Sequence, residues 1–176
     1  IDKAYGMKKL TEILDISKVE SERIVIEQVG FSLPSLIDDV NALLKPQATE
    51  KGLEFEIKYI SDIPEKIVSD PTRLRQILIN VIGNAIKFTE TGSIAVSFNI
   101  KPEVVGSTKQ VLEICVKDTG IGISHEQAQR LFKPFAQADN STSRRFGGTG
   151  LGLFLSRKLA KLLGGDLVLQ ENPVLK

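Results

Sequence analysis

Between Ser69 and Thr89 the stretch "SDPTRLRQILINVIGNAIKFT" specifies a helix, and that helix limits what the rest of the chain can fold into. Asp70 is an N-cap residue, and Pro71 at the first helical position has its backbone already preset for the first turn. Leu74, Ile77, Leu78, Val81, Ile82, Ala85 and Ile86 then recur at helical spacing, giving an apolar stripe that needs a second layer to cover it. On the other side Asn80, Asn84 and Lys87 fall at i, i+4 and i+7 on one polar stripe. Asparagine is a poor helix former, so two of them one turn apart point to a polar task, with a plain solvated face as the alternative. Amide oxygens suit a hard cation such as Mg²⁺, and Lys87 can neutralise phosphate.

The covering layer is legible elsewhere. Residues 3–19 carry Met7, Leu10, Ile13 and Leu14 on one helical stripe too short to stand alone. "ERIVIEQV" reads as a short strand. Ser32 caps a second helix with Leu33, Leu36, Ile37, Val40, Leu43 and Leu44 on one face, and Pro46 is expected to kink its last turns. "LEFEIKYI" alternates as a half-buried strand, and "SIAVSFNI" and "QVLEICVKD" alternate as a hairpin turning near Gly106. A short helix reaching about Lys133 follows "TGIGIS", then comes the polar stretch "AQADNSTSRRF". "LGLFLSRKLAKLLGG" is a helix stopped by Gly164 and Gly165, and "DLVLQE" is a last strand. Strands and helices mix without strict alternation. The expected fold is therefore an α+β two-layer sandwich, with a mixed, mostly antiparallel sheet and helices on one face.

Two glycine stretches are candidates for phosphate or base binding. "GGTGLGL", Gly147 to Leu153, lacks the Lys-Ser or Lys-Thr of a P-loop, and a dinucleotide fingerprint counted from Gly148 places Leu153 where the third glycine belongs. Counting from Gly120 in "DTGIGIS" puts His125 there. Some other nucleotide site, or tight packing before a helix, remains. Small residues leading into a helix N-terminus do make an anion site, and Arg144 and Arg145 just before it can fold over phosphate as a lid. Asp118 ends a strand ahead of Gly120 and Gly122. Its carboxylate can accept from an exocyclic amine such as adenine's, or it can simply bond its own turn.

Composition excludes several classes. With 23 basic and 22 acidic residues, no charge excess points to nucleic acid or a membrane surface, and no apolar run is long enough to cross a bilayer. Cys115 is the only cysteine, so neither an internal disulfide nor a cysteine zinc site can form, and a reducing, cytoplasmic setting is expected. The chain begins at Ile1 with no signal-peptide pattern and reads as part of a longer protein, whose membrane anchoring is left open.

In order, N-x-x-x-N-A-x-K on a helix, D-x-G-x-G-I, "LFKPF" and G-G-T-G-L-G-L resemble the nucleotide-binding boxes of the sensor histidine kinases, within the Bergerat-fold ATPases. The resemblance extends over nearly the whole chain. "LTEILDISKVES" is similar to the end of the second dimerisation helix that precedes such domains, dividing the chain into 1–20 and a catalytic domain over 21–176. "FAQADNSTSRRFGGTGLGL" is similar to the lid of the hybrid subgroup, whose members carry receiver domains further on.

The resemblance implies roles for particular residues. Asn84 is expected to coordinate Mg²⁺, with Asn80 assisting or meeting phosphate, and Lys87 to contact phosphate. Asp118 is expected to accept from the adenine of ATP, with Gly120 and Gly122 letting the base lie close to the backbone. Phe132 and Phe135 match the box that anchors the lid. Gly147, Gly148, Gly150 and Gly152, with Thr149 among them and the N–H of Leu151, are expected to wrap the phosphates. The activity implied is transfer of the γ-phosphoryl group to a histidine, within a homodimeric parent, the partners being a histidine-bearing dimerisation domain and a downstream response-regulator receiver.

Two departures stand out. The family has a further strand after "DLVLQENP", so the sheet edge is expected to be incomplete here. The only histidine, His125, is expected to be an ordinary surface residue near an N-cap, which places the phosphoacceptor outside these residues. The alternatives kept open are an ATP-hydrolysing relative on the same fold and a non-catalytic nucleotide-binding docking module. Hydrolysing relatives carry a water-activating glutamate on the asparagine helix. Here Gln76 is an amide, and Glu90 lies beyond the helix's expected end.

Overall fold

The computed structural model describes residues 24–134 and 150–170. The expected helix over 3–19, and Phe135, Arg144, Arg145, Gly147, Gly148 and Thr149, lie outside the described residues. The described residues fall into two compact units, one of them Glu27–Gly122 and the other containing those from Ile123 onward.

Within Glu27–Gly122 the elements run β1 (Val29–Ser32), α1 (Leu33–Glu50), β2 (Glu54–Tyr59), β3 (Lys66–Ser69), α2 (Pro71–Phe88), β4 (Ser93–Pro102) and β5 (Gln110–Asp118). Ser32 ends β1 and caps α1, its hydroxyl accepting from the Ser35 N–H at 3.2 Å. The helix runs on through Pro46 to Glu50. Asp70 caps α2 in the same way, accepting from the Arg73 N–H at 3.0 Å, and its second oxygen accepts from the Glu27 N–H at 3.1 Å. Both start signals read from the sequence are therefore in place.

β2 pairs parallel with β4, and β4 pairs antiparallel with β5, giving a three-stranded sheet in the order β2-β4-β5. β1 and β3 form a separate antiparallel pair, Val29 opposite Ser69 and Phe31 opposite Ile67. Alternation along β4 turns Ile94, Val96 and Phe98 inward. There they meet Leu33, Leu36, Ile37, Val40 and Leu44 of α1 and Leu78, Ile82, Ala85 and Ile86 of α2 in one buried cluster. Phe55, Ile57, Ile114 and Val116 pack against it from the flanking strands. The mixed sheet with its helical layer matches the expected α+β sandwich.

Two expectations need correction, and one strand was missed. The strand read over "ERIVIEQV" is displaced, since Ile24–Gln28 form no ladder and β1 starts at Val29, where β3 supplies partners. β3 itself was not anticipated, because "KIVS" is too short for alternation to show. "DLVLQE" is not a strand over 166–170, where Val168 and Leu169 are exposed, since alternation needs a neighbouring ladder to become a strand.

In the second unit, Ser124 caps α3 (His125–Arg130) with a full capping box, exchanging bonds with Gln127, and His125 is exposed at its first turn. α4 (Gly152–Leu162) ends in a Schellman motif: Gly164, at φ 86°, donates to the Lys161 carbonyl and Gly165 donates to that of Ala160. Among the described residues no helix is long and apolar enough to cross a membrane.

Candidate functional site

The polar stripe of α2 lies as expected: Asn80, Asn84 and Lys87 are half-buried, while Ile77, Leu78, Ile82, Ala85 and Ile86 on the same helix are buried. The Lys87 ammonium lies over the neighbouring Phe88 ring at 4.7 Å, a cation–π contact that keeps the charge at the helix end. Glu90 lies beyond the C-cap Thr89, and the Gln76 side-chain oxygen accepts from Arg73 at 2.9 Å.

The end of this helix carries the Asp118–Gly122 turn. The Ile121 N–H donates to the Phe88 carbonyl at 3.3 Å, and the Thr119 N–H donates to that of Ser93 at 3.1 Å. Thr119 locks the turn from the other side, its hydroxyl accepting from the Ser93 N–H at 2.9 Å. Asp118 makes the local turn bond, Oδ1 accepting from the Gly120 N–H at 2.9 Å. That occupies one oxygen of an exposed carboxylate that has two.

The two glycines of the turn serve different needs. A Cβ on Gly120 would stand 2.6 Å from the Phe88 carbonyl oxygen, so the first glycine answers a close approach within the protein itself. Gly122 has open space around it but sits at φ 71°, a left-handed conformation that other residues rarely adopt. Asn80, Asn84 and Lys87 are thus brought into one unit with Asp118, Gly120 and Gly122.

Phe132, Gly150, Leu151 and Gly152 belong to the other unit. Gly150 is left-handed at φ 68°, Leu151 is buried as the N-cap residue of α4, and Gly152 opens the helix. Among the described residues no side chain caps this N-terminus, whose amide groups suit an anion. The Arg157 guanidinium stacks on the Phe132 ring at 4.9 Å and forks onto Asp166 at 2.9 and 3.0 Å. That pairing holds the Asp166 carboxyl down to about 2.

The donor set fits a magnesium nucleotide. Carboxamide oxygens on α2 are hard ligands for a cation that keeps several waters, and an exposed carboxylate ahead of two glycines suits a flat base carrying an amine. Among the described residues no cluster of three or more His, Cys, Asp or Glu offers a protein-only metal cage.

Residues 69–174 match the family model described as "Histidine kinase-, DNA gyrase B-, and HSP90-like ATPase". The chain belongs to this ATPase family. Within it, the chain is 43% identical over 164 residues to the signal transduction histidine-protein kinase BarA of Escherichia coli, covering 93% of this chain and 18% of BarA. It is 36% identical over 162 residues to hybrid signal transduction histidine kinase F of Dictyostelium discoideum, covering 92% of this chain and 14% of that protein. The chain thus spans under a fifth of the length of these two relatives.

Among solved structures it resembles full-length ShkA in complex with AMPPNP, with a TM-score of 0.74 and 31% identity over 91% of this chain and 31% of ShkA. It also resembles the catalytic domain of histidine kinase ThkA, with a TM-score of 0.56 and 26% identity over 78% of this chain and 82% of that one. Membership of an ATPase family supports ATP as the nucleotide.

Sequence reasoning missed Lys51. It follows α1 as its C-cap residue, yet its ammonium donates to the Ile86 and Lys87 carbonyls at 2.7 and 2.9 Å. Nothing in a lysine after a helix announces partners 35 residues away.

Proposed function

We propose that this chain is the ATP-binding catalytic domain of a hybrid sensor histidine kinase, presenting the γ-phosphoryl group of Mg·ATP to a histidine on a dimerisation domain. The observation that carries this reading is the bond from Ile121 to the end of α2, which joins the asparagine–lysine stripe to the aspartate–glycine turn in one rigid piece. Kinase-named relatives over more than nine-tenths of the chain support it. So does the likeness to a kinase solved with AMPPNP.

Phosphoryl transfer of this kind needs mostly positioning and charge neutralisation. Bound Mg²⁺ would supply charge neutralisation across the phosphates. Asn84, with Asn80, would offer oxygens to hold it, and Lys87 would bring a positive charge to the phosphates. Asp118 would accept from the adenine amino group while Gly120 and Gly122 keep the base against the main chain. Phe132 and Phe135 would anchor the lid, whose Arg144 and Arg145 close over the phosphates. Gly147, Gly148, Thr149, Gly150, Leu151 and Gly152 would wrap them with backbone N–H groups.

Transfer is favoured over hydrolysis by the residues on α2. Gln76 is an amide engaged with Arg73, and Glu90 follows the end of the helix, so neither is placed on it as a base for water. The partners in this reading are the histidine-bearing dimerisation domain and a receiver domain; ThkA has been solved with its response regulator TrrA.

Mixing the chain with a separate histidine-bearing dimerisation domain and γ-labelled ATP tests the assignment. Label on histidine is the expected result. Free phosphate as the main product would mean a hydrolase, and binding without either product a docking module.

A further inference from the structure

Every α-helix leaves its last four carbonyls without helical partners, and their negative ends attract cations. At the end of α2 all four are accounted for. The Ala85 carbonyl accepts from the Thr89 N–H at 3.1 Å and from the buried Thr89 hydroxyl at 2.8 Å. Those of Ile86 and Lys87 accept from the Lys51 ammonium, and that of Phe88 accepts from the Ile121 N–H.

Two of these four partners come from one side chain on another helix, and the next carbonyl along holds the Asp118–Gly122 turn. The fit there is close, since a Cβ on Gly120 would lie 2.6 Å from the Phe88 oxygen. A shift of the last turn of α2 therefore moves the turn with it. Thr89 alone restrains Ala85, one residue short of the segment that matters.

We propose that Lys51 is a positioning residue for nucleotide binding. By gripping the Ile86 and Lys87 carbonyls it fixes the direction in which Lys87 leaves the helix and the height at which the Asp118 turn sits. The inference rests on the functional reading above and deepens it, adding the C-cap residue of α1, which acts through the end of α2. The surrounding concavity, lined by Gln47, Glu50, Lys51 and Ile86, is open to solvent. Water can replace the ammonium there as a hydrogen-bond donor but cannot hold the carbonyls in place. Losing Lys51 therefore costs little overall stability and much more in binding geometry.

The test uses the full chain as wild type, Lys51→Met and Lys51→Arg. It combines calorimetry with Mg·AMPPNP, amide hydrogen exchange at Ile121 without nucleotide, and urea unfolding. Lys51→Met is expected to weaken binding about tenfold, the equivalent of one charge-assisted hydrogen bond, and to speed exchange at Ile121. Lys51→Arg, whose fork can reach both carbonyls, is expected to restore both. Unchanged binding and exchange in Lys51→Met overturn the inference, and so does a loss that follows the urea midpoint in both variants. If wild type itself gives no binding heat, the functional reading fails instead, and the exchange measurement alone decides whether Lys51 holds the turn.

Discussion

The carbonyl oxygen of Phe88 stands 2.6 Å from where a β-carbon on Gly120 would be, and Oδ1 of Asp118 stands 2.9 Å from it. Neither neighbour is the movable tip of a long side chain. Gly120→Ala must push the turn off the end of α2, breaking the bond from Ile121, at an overpacking cost of about 1–3 kcal/mol. Gly122→Ala meets no neighbour and bears only its left-handed backbone, about 1–2 kcal/mol. Urea unfolding of the two variants should rank them in that order or close together, while Mg·AMPPNP binding should fall further in Gly120→Ala.

Asn84→Ala separates binding from folding. Alanine is the better helix former by a few tenths of a kcal/mol, so the thermal midpoint should hold or rise. Titration with Mg·AMPPNP should show affinity reduced by at least about tenfold, as expected on losing a hard oxygen ligand. Retained affinity would remove Asn84 from the site.

Asp70→Ala should be among the more destabilising single changes at a polar position. The residue is 3% exposed, and its two oxygens serve separate N–H groups, Arg73 to start α2 and Glu27 to tether the chain ahead of β1. Losing the cap and stranding the second donor costs about 2–3 kcal/mol. Asp70→Asn, which keeps one acceptor oxygen, should lose less, as read from urea midpoints.

The Arg157–Asp166 fork gives a pH signature. Hydrogen bonding to Arg157 lowers the Asp166 carboxyl from 3.8 to about 2, so the folded state prefers it ionised. Its contribution is fully present above pH 3.8 and disappears as pH falls through about 2. Both side chains are more than a third exposed, so solvent screens the pair and its contribution is small. The stability difference between wild type and Arg157→Gln should be constant above pH 4, shrink towards pH 2, and narrow with added salt.

How far the sequence discloses all this depends on the range over which each signal acts. The caps Ser32 and Asp70, the Gly164 stop and the alternation of Ile94, Val96 and Phe98 are local, and each is where its neighbours said it would be. β1 and β3 depend on one another across some forty residues, so Ile24–Ile26 looked like strand while "KIVS" went unnoticed. In the candidate site, Asn80, Asn84 and Lys87 stand out by their spacing on one helix. Gly120 was expected to make room for a base, whereas what presses on it here is the Phe88 carbonyl. Lys51 carries no signal at all, because its partners exist only once two helices have met.

The parallel pairing of β2 with β4 joins Glu54 to Ser93 and Tyr59 to Phe98, with β3 and all of α2 intervening. No local hairpin can form that ladder. A chain emerging from the ribosome must therefore complete α2 before β2 finds its neighbour, and until then the inward side chains of β2 have only α1 to lie against. Such long-range closure slows folding, and it makes the late arrival of β4 the step at which an unfinished molecule is most exposed to its own kind.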